Sequence, residues 1–524
     1  MVPEGPRSGS SARGWAFEYR AWDKTLGPQH VAGACHQGGQ TFAMLGYALS
    51  SALALILIAV SLLSVQLLML AWVRLTRAAP QVARAELSDS QLPHVLVQLP
   101  VCNEGPLALR VAAAACALDW PKDRLTIQLL DDGTEENHAA LAAALPGIVP
   151  DGVNLTLLRR GDRKGFKAGN LAFGLAHCDA PYVAIFDADF VPAPDFLRRT
   201  VPALLADDGL CFVQARWGHN NRNANWLTRV QGVLLDSHFA IEQEARWRAS
   251  LPMSFNGTAG VWNRLAIEQA GGWTGDTLTE DLDLSMRCVL AGWRSAMLPD
   301  IEVPGELPPT AAAWRAQQAR WTKGHAQCAR KLVPLVWASD KPFAIKLAMT
   351  GQMCQFAFYT LAFTSAAISL FMMSVGIRPY PAVAWLGIGV TILGLACSIG
   401  YLWLGQRMLG REQAAGLFRT LVLAVVFPSG LILANTWATL EAFFSNRMDF
   451  IRTLRAGEIV KGGWRGAPEL LVGVFVAVLA VAESNWSALF FVFAVSGLVS
   501  IGTMDATGAL LPKPVRRSIS TPAE

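Results

Sequence analysis

None of the nine cysteines stands in a CxxC pair, so the 524-residue chain has neither the spacing of a structural zinc site nor a disulfide framework. Scattered singly, they read as small buried apolar residues. Charge is scarce too: Asp, Glu, Lys and Arg make up 16% of the residues against 52% hydrophobic, low for a wholly water-soluble protein. The net charge of +4 is too small to mark a nucleic-acid partner. The long apolar runs hold almost no ionisable residues, which argues against a transporter, whose spans carry such groups along the substrate path. The first 40 residues are polar, and the apolar run that begins near Ala43 is too late and too long for a cleaved signal peptide.

Apolar runs occupy residues 43–73, 347–375, 382–404, 417–444, 470–482 and 486–501. A helix needs about 20 apolar residues to span the hydrocarbon core. The first run reads as a retained anchor, and Arg74 and Arg77 directly after it place that end in the cytoplasm. If all later runs crossed, Arg447, Arg452, Arg455, Lys461 and Arg465 would lie outside, against the positive-inside rule. Residues 417–444, with Pro428, Asn435 and Glu441, are therefore expected to lie at the cytoplasmic interface or to re-enter. Five crossings leave the N-terminus outside, and the acid-rich segment 77–340 and the C-terminus inside.

The expected divisions are an N-terminal polar segment (1–42), a transmembrane anchor (43–76), a cytoplasmic domain (77–340), two transmembrane helices (341–405), an interfacial segment (406–467), two further transmembrane helices (468–503) and a cytoplasmic tail (504–524). An integral protein of a bacterial cytoplasmic membrane is expected.

Residues 77–340 carry most of the acids and alternate strand-like with helix-like patterns. Runs 94–99, 126–130, 153–158 and 182–186 read as strands, separated by helical stretches such as 106–118 with Asn103 as its cap. Such βαβ units predict an α/β, Rossmann-like, mostly parallel sheet, whose ligands bind beyond the carboxyl ends of the strands. Acids gather there. Asp131-Asp132-Gly133-Thr134 can accept from a base N–H or a ribose hydroxyl, although by itself the tetrapeptide reads as a turn. Residues 163–170 form a basic, glycine-flanked loop running into a helix, which reads as an anion site containing Lys167 or as a solvated basic turn.

Asp187-Ala188-Asp189 ends the fourth strand. In extended backbone both acids face one side, where phosphate oxygens and waters can complete an octahedron around Mg2+ or Mn2+. Thr279-Glu280-Asp281 opens a helix. Acids there compensate the dipole, and one can also be a general base for an acceptor hydroxyl. Gln317 and Arg320 share a face of a helix that starts after Pro308-Pro309-Thr310. Arginine suits a diphosphate leaving group, and Trp321 can stack on a sugar or pack in a core.

In order and spacing, VQLPVCNE, DDGT, FKAGN, FDADF, FNGTAGVW, TLTEDLDLS and QQARW resemble the family 2 inverting glycosyltransferases of the cellulose synthase superfamily. FNGTAGVW (255–262) and TLTEDLDLS (277–285) look most like the plant mannan-synthase and glucan-synthase branch and its bacterial relatives. The resemblance implies a GT-A-type α/β domain with α-helical transmembrane segments. It implies a hexosyltransferase that moves a hexose from UDP-glucose or GDP-mannose, with inversion, to a growing β-linked polysaccharide, or alternatively makes a single addition to a glycolipid acceptor. Partners are then a nucleotide-diphosphate sugar, the acceptor and the lipid bilayer, with Mg2+ or Mn2+ as cofactor and no nucleic acid.

Residue by residue, the resemblance implies that Asp132, with Asp131 beside it, contacts the nucleoside and Lys167 approaches the diphosphate. Asp187 and Asp189 bind the metal and nucleotide sugar, and Asp281, next to Glu280, is the general base. Gln317, Arg320 and Trp321 bind the diphosphate and acceptor sugar. Residues 450–455 resemble a degenerate form of the family's gating loop, and 469–474 also have a counterpart in that branch. Cys102 stands where the family has Tyr before Asn-Glu, which leaves the base open. No long soluble C-terminal regulatory domain is expected.

Overall fold

The first strand of the domain expected over residues 77–340, β1 (Val95–Val101), is apolar without alternation, and Val95, Leu96, Val97 and Leu99 are fully buried. That pattern belongs to a strand covered on both faces. A computed structural model, which describes residues 28–82 and 87–445 and a few isolated positions beyond, places β1 inside a seven-stranded sheet. The other strands are β2 (Leu125–Asp131), β3 (Asn154–Arg159), β4 (Tyr182–Ile185), β5 (Leu210–His219), β6 (Gly260–Asn263) and β7 (Arg294–Gly305). Their order is β3-β2-β1-β4-β6-β5-β7. All neighbours are parallel except β6, which runs antiparallel to β4 and β5.

The chain leaves β1 toward β2 and β3, then returns to the other side of β1 as β4. The order reverses between β1 and β4, so a crevice opens outside their carboxyl ends, where open α/β sheets bind ligands. Two corrections to the sequence reading lie at this edge. Asn103 does not cap the helix Pro106–Cys116; Gly105 takes the cap position. Asn103, at φ 58°, instead accepts the Thr134 N–H at 2.8 Å and ties the end of β1 to that of β2. The acids after β4 are not in extended backbone. The Phe190 N–H donates to the Asp187 carbonyl at 2.9 Å and closes a turn around them.

Helices Thr41–Thr76, Phe343–Ser374 and Pro381–Met408 are long and apolar enough to cross a membrane. Leu55, Leu62, Trp385 and Ile392 point outward from them, as lipid-facing side chains do. Leu417–Ser429 and Ile432–Phe444 are bent 45° to each other at a short break, the shape of a broken span or a re-entrant hairpin. The gating-loop-like residues 450–455 lie outside the described residues, as does nearly all of the chain after 445.

One helical run, Trp226–Ser237, His238–Gln243 and Glu244–Arg248, joins the domain to these helices through three acids. Arg74, at the end of the first apolar helix, pairs with Glu244 at 3.0 Å. Gln355, at the break in Phe343–Ser374, donates to Glu242 at 2.9 Å. Asp236, fully buried on its side chain, takes Arg222, Arg411 (2.9 Å) and Gln406 (3.1 Å). Burial presses the Asp236 carboxyl upward, but Arg222 and Arg411 outweigh it and hold it below its ordinary value. Removing one partner of a buried ion pair costs about 3–5 kcal/mol, and Arg411 is one-third exposed, so the low end applies. Asp236→Ala is expected to melt roughly 5–10 °C below the parent chain in detergent; an unchanged midpoint would contradict this account of the joint.

Candidate active site

The crevice at the β1/β4 edge is a cavity of about 520 Å³. Its wall runs from Cys102 and Asp132 at the strand ends, past Asp187, Asp189, Glu280, Asp281 and Arg320, to Gln355, Tyr359 and Pro428 on the apolar helices. Lys167, Gln317 and Trp321 also line it. Of the residues singled out in the sequence, the structure leaves out Asp131 alone. Its side chain is fully buried, accepts the Gly133 N–H at 2.8 Å and meets His138 Nδ1 at 3.0 Å. It is the last residue of β2, where alternation turns it away from the crevice and Asp132 toward it.

Asp132 is gripped from both sides by a residue the sequence reading missed. Arg160 donates Nε to Oδ1 at 2.7 Å and Nη2 to Oδ2 at 2.6 Å. The same guanidinium holds the carbonyls of Lys164 (2.6 Å) and Phe166 (2.7 Å), which pins the basic loop against the carboxylate. The second of two arginines at the end of β3 carries no motif, so only the fold reveals its role.

Lys167 lies in the first turn of the helix Phe166–Leu175. Its Nζ donates to Asp187 Oδ1 at 2.5 Å and to the Gly257 carbonyl at 2.8 Å, with Glu280 at 3.8 Å. Burial works against the ammonium, but Asp187 and Glu280 outweigh it and hold its pKa above the ordinary value. Gly257, at φ +81°, belongs to FNGT, which the sequence reading used without assigning residue roles. A Cβ there would stand 3.1 Å from Asp281 Oδ2 and 3.5 Å from Lys167 Nζ, in a backbone conformation other residues rarely adopt. The next residue, Thr258, accepts the Asp187 N–H at 2.9 Å through its hydroxyl. Loop 255–258 therefore touches the lysine, the acidic turn and Asp281 together.

Asp281 and Glu280 open the helix Glu280–Leu290. Burial first, then the Glu280 carboxylate, push the Asp281 carboxyl up to about 7, against the pull of Lys167. Burial also raises Glu280, opposed by Lys167. A carboxyl poised near neutrality can take a proton at physiological pH, as a general base must. The helix Ala311–Ala338 begins at Thr310, whose hydroxyl accepts the Ala313 N–H at 3.2 Å. It approaches Asp281 because Gly324 lies flat on Thr279: a Cβ at Gly324 would come within 2.4 Å of that side chain. Arg320 is thereby set among acids. Burial lowers its pKa, while Glu280, Asp187, Asp281 and Asp189 all act the other way.

Among the described residues no group of three or more His, Cys, Asp or Glu side chains could hold a metal ion by itself. Asp187 and Asp189 nevertheless share one turn and one cavity wall. Two carboxylates fit a hard cation whose remaining oxygen ligands are phosphate and water. They do not fit a resident ion caged by protein alone.

Residues 97–263 match the model of glycosyl transferase family 2, and residues 182–392 that of glycosyl transferase family group 2. Glucomannan 4-beta-mannosyltransferase 1 of Oryza sativa subsp. japonica is 44% identical over 252 residues, covering 47% of this chain and 48% of that protein. Glucomannan 4-beta-mannosyltransferase 2 of Arabidopsis thaliana is 44% identical over 254 residues, 47% of each. The chain thus spans about half the length of the curated relatives it matches. A mannosyltransferase from Pyrobaculum calidifontis, solved in complex with GDP-Man and Mn2+, has the same fold. The TM-score is 0.51 at 21% identity, over 75% of this chain and 99% of that one.

Proposed function

We propose that this chain, whose residues 97–263 match the glycosyl transferase family 2 model and residues 182–392 the family group 2 model, is a membrane-bound inverting mannosyltransferase extending a β-linked polysaccharide. The observation that carries this is convergence. Asp132, Asp187, Asp189, Asp281 and Arg320 come from distant segments and wall one cavity, which continues to Tyr359 and Pro428 on the apolar helices. Mannose as the sugar is supported by the names of the plant relatives, and a guanosine diphosphate donor by the ligand of the archaeal neighbour. The catalytic domain is placed on the cytoplasmic side, with the crossings and boundaries read from the sequence. The relatives are plant proteins and lend no support to a bacterial inner membrane.

Asp281 takes the proton of the acceptor hydroxyl, and the oxygen attacks the anomeric carbon from the face opposite the diphosphate, inverting the centre. Arg320 and Lys167 offset charge on the departing diphosphate, which is worth most in a site shielded from water. A divalent ion held by Asp187, Asp189 and phosphate oxygens would add Lewis-acid stabilisation of the same leaving group. Asp132 receives the nucleoside, while Gln317 and Trp321 face the acceptor sugar.

Membranes carrying the full chain are expected to incorporate label from GDP-mannose, and not from UDP-glucose, into a long product that an endo-β-mannanase degrades. A lipid-soluble product bearing one sugar would instead establish single addition. No incorporation from either donor would sink the proposal.

A further inference from the structure

The helical run that joins the domain to the membrane helices contains one irregular turn, the π-helix His238–Gln243. Such turns cost regular hydrogen bonding and are frequent at functional sites. Here the wider turn lets two residues five apart meet one side chain. Gln243 donates to Asn256 Oδ1, and Asn256 Nδ2 lies 2.9 Å from His238 Nε2.

The hydrogen bonds settle every orientation in turn. Gln243 Nε2 also donates to the Ser254 carbonyl at 2.9 Å, so its amide nitrogen is fixed on that side. Its other bond makes Asn256 Oδ1 an acceptor and Asn256 Nδ2 the donor facing His238. His238 Nε2 must then be unprotonated, and Nδ1 carries the ring proton, donated to Glu242 Oε2 at 3.0 Å. Glu242 is in turn held by Arg246 Nε at 3.1 Å and Gln355 Nε2 at 2.9 Å. Burial presses the Glu242 carboxyl up, but the His238 bond and the Arg246 charge outweigh it and keep it ionised, down at about 2. A carboxylate fixing an imidazole tautomer from behind is the arrangement that aims a histidine at a target.

The target is the loop that organises the active site. Asn256 precedes Gly257, whose carbonyl takes Lys167 and where a Cβ would stand 3.1 Å from Asp281 Oδ2, and Thr258, which holds the Asp187 N–H. We propose that His238 is a positioning residue for sugar transfer: in the tautomer fixed by Glu242 it holds Asn256, and through Asn256 it sets loop 255–258 against Asp281, Lys167 and Asp187. The kinetic part of this inference rests on the transferase reading above.

His238→Ala in the full membrane-embedded chain is expected to lower kcat by at least about 10-fold with the donor KM within about 3-fold, the signature of a displaced reacting group rather than lost binding. His238→Gln, whose amide oxygen can take the Asn256 N–H, is expected to recover most of that loss. Full activity in the alanine variant, or a glutamine variant as poor as the alanine one, overturns the proposal. A second measurement needs no turnover. Melting of His238→Ala, Asn256→Ala and the double variant should be non-additive, the double melting within about 1 °C of the poorer single variant. Additive losses overturn the proposal. If the unmutated chain transfers no sugar from any donor, the transferase reading has failed, and the melting cycle alone decides whether His238 holds Asn256.

Discussion

Membranes carrying Asp281→Asn are expected to transfer sugar about 10²–10⁴-fold more slowly than the parent chain while still binding the nucleotide. The amide has the shape of the carboxylate but cannot accept the acceptor's proton. The end of the cavity at Asp132, braced by Arg160 and proposed above to receive the nucleoside, is untouched by the change. The pH profile carries the same assignment. Burial and Glu280 raise the Asp281 carboxyl to about 7, so below that pH the base already holds a proton. The rate at low donor concentration should climb as pH rises through about 7 and then level off.

The stability sign is opposite. A raised carboxyl binds its proton more tightly in the folded chain than in the unfolded one. Its protonation therefore favours folding at low pH, and that contribution is lost as pH rises through about 7. At pH 8 Asp281→Asn, which removes a crowded charge beside Glu280, should melt no lower than the parent. A slow variant that is equally or more stable cannot be explained by misfolding. Retained activity, or lost nucleotide binding, would remove Asp281 from the role of base.

How much of this could be read beforehand differs by level. The strand carrying Val95, Leu96 and Val97 was legible because a strand buried on both faces leaves an unbroken apolar run. The acids after β2 and β4 were legible because the carboxyl edge of such a sheet is where polar groups collect. The backbone beneath those acids was not. Alternation predicts an extended Asp187-Ala188-Asp189, but the strand pairing stops at Ile185 and the chain turns under them. Alternation did place Asp132, and it excluded Asp131 once the end of β2 was fixed at that residue. Arg160, His238 and Glu242 were invisible for a different reason: each acts through a partner far away in sequence. Asp132 lies 28 positions from Arg160, and Gln355 lies 113 from Glu242. The bend between Ser429 and Ile432 was foreshadowed by Pro428. Whether the pair re-enters or spans depends on a bilayer that composition cannot locate.

Stripping divalent ions should abolish transfer, and Mn2+ or Mg2+ should restore it, because the turn after β4 supplies only two of the oxygens such an ion needs. Asp187→Asn and Asp189→Asn should each move the metal concentration for half-activation upward by at least about 10-fold, with part of the lost rate returning at high metal. The two variants should not be equivalent. Asp187 also neutralises Lys167 at 2.5 Å, and its backbone N–H is held by Thr258. Asp187→Asn therefore removes the nearest counter-charge of Lys167, whose side chain is 18% exposed, and leaves it to Glu280 at 3.8 Å and to the Asp281 carboxyl, whereas Asp189→Asn leaves the Lys167–Asp187 pair intact. Removal of the Asp187 charge should lower melting as well as rate; removal of the Asp189 charge should lower rate alone. Arg320→Ala offers the contrast. It removes a fixed charge rather than a ligand, so added metal should not repair it, and it leaves Glu280, Asp187, Asp281 and Asp189 without the guanidinium that attracts them all. Full activity in excess chelator would show that Arg320 and Lys167 manage the diphosphate without an ion, and the acidic turn would then have to be a binding element for the sugar alone.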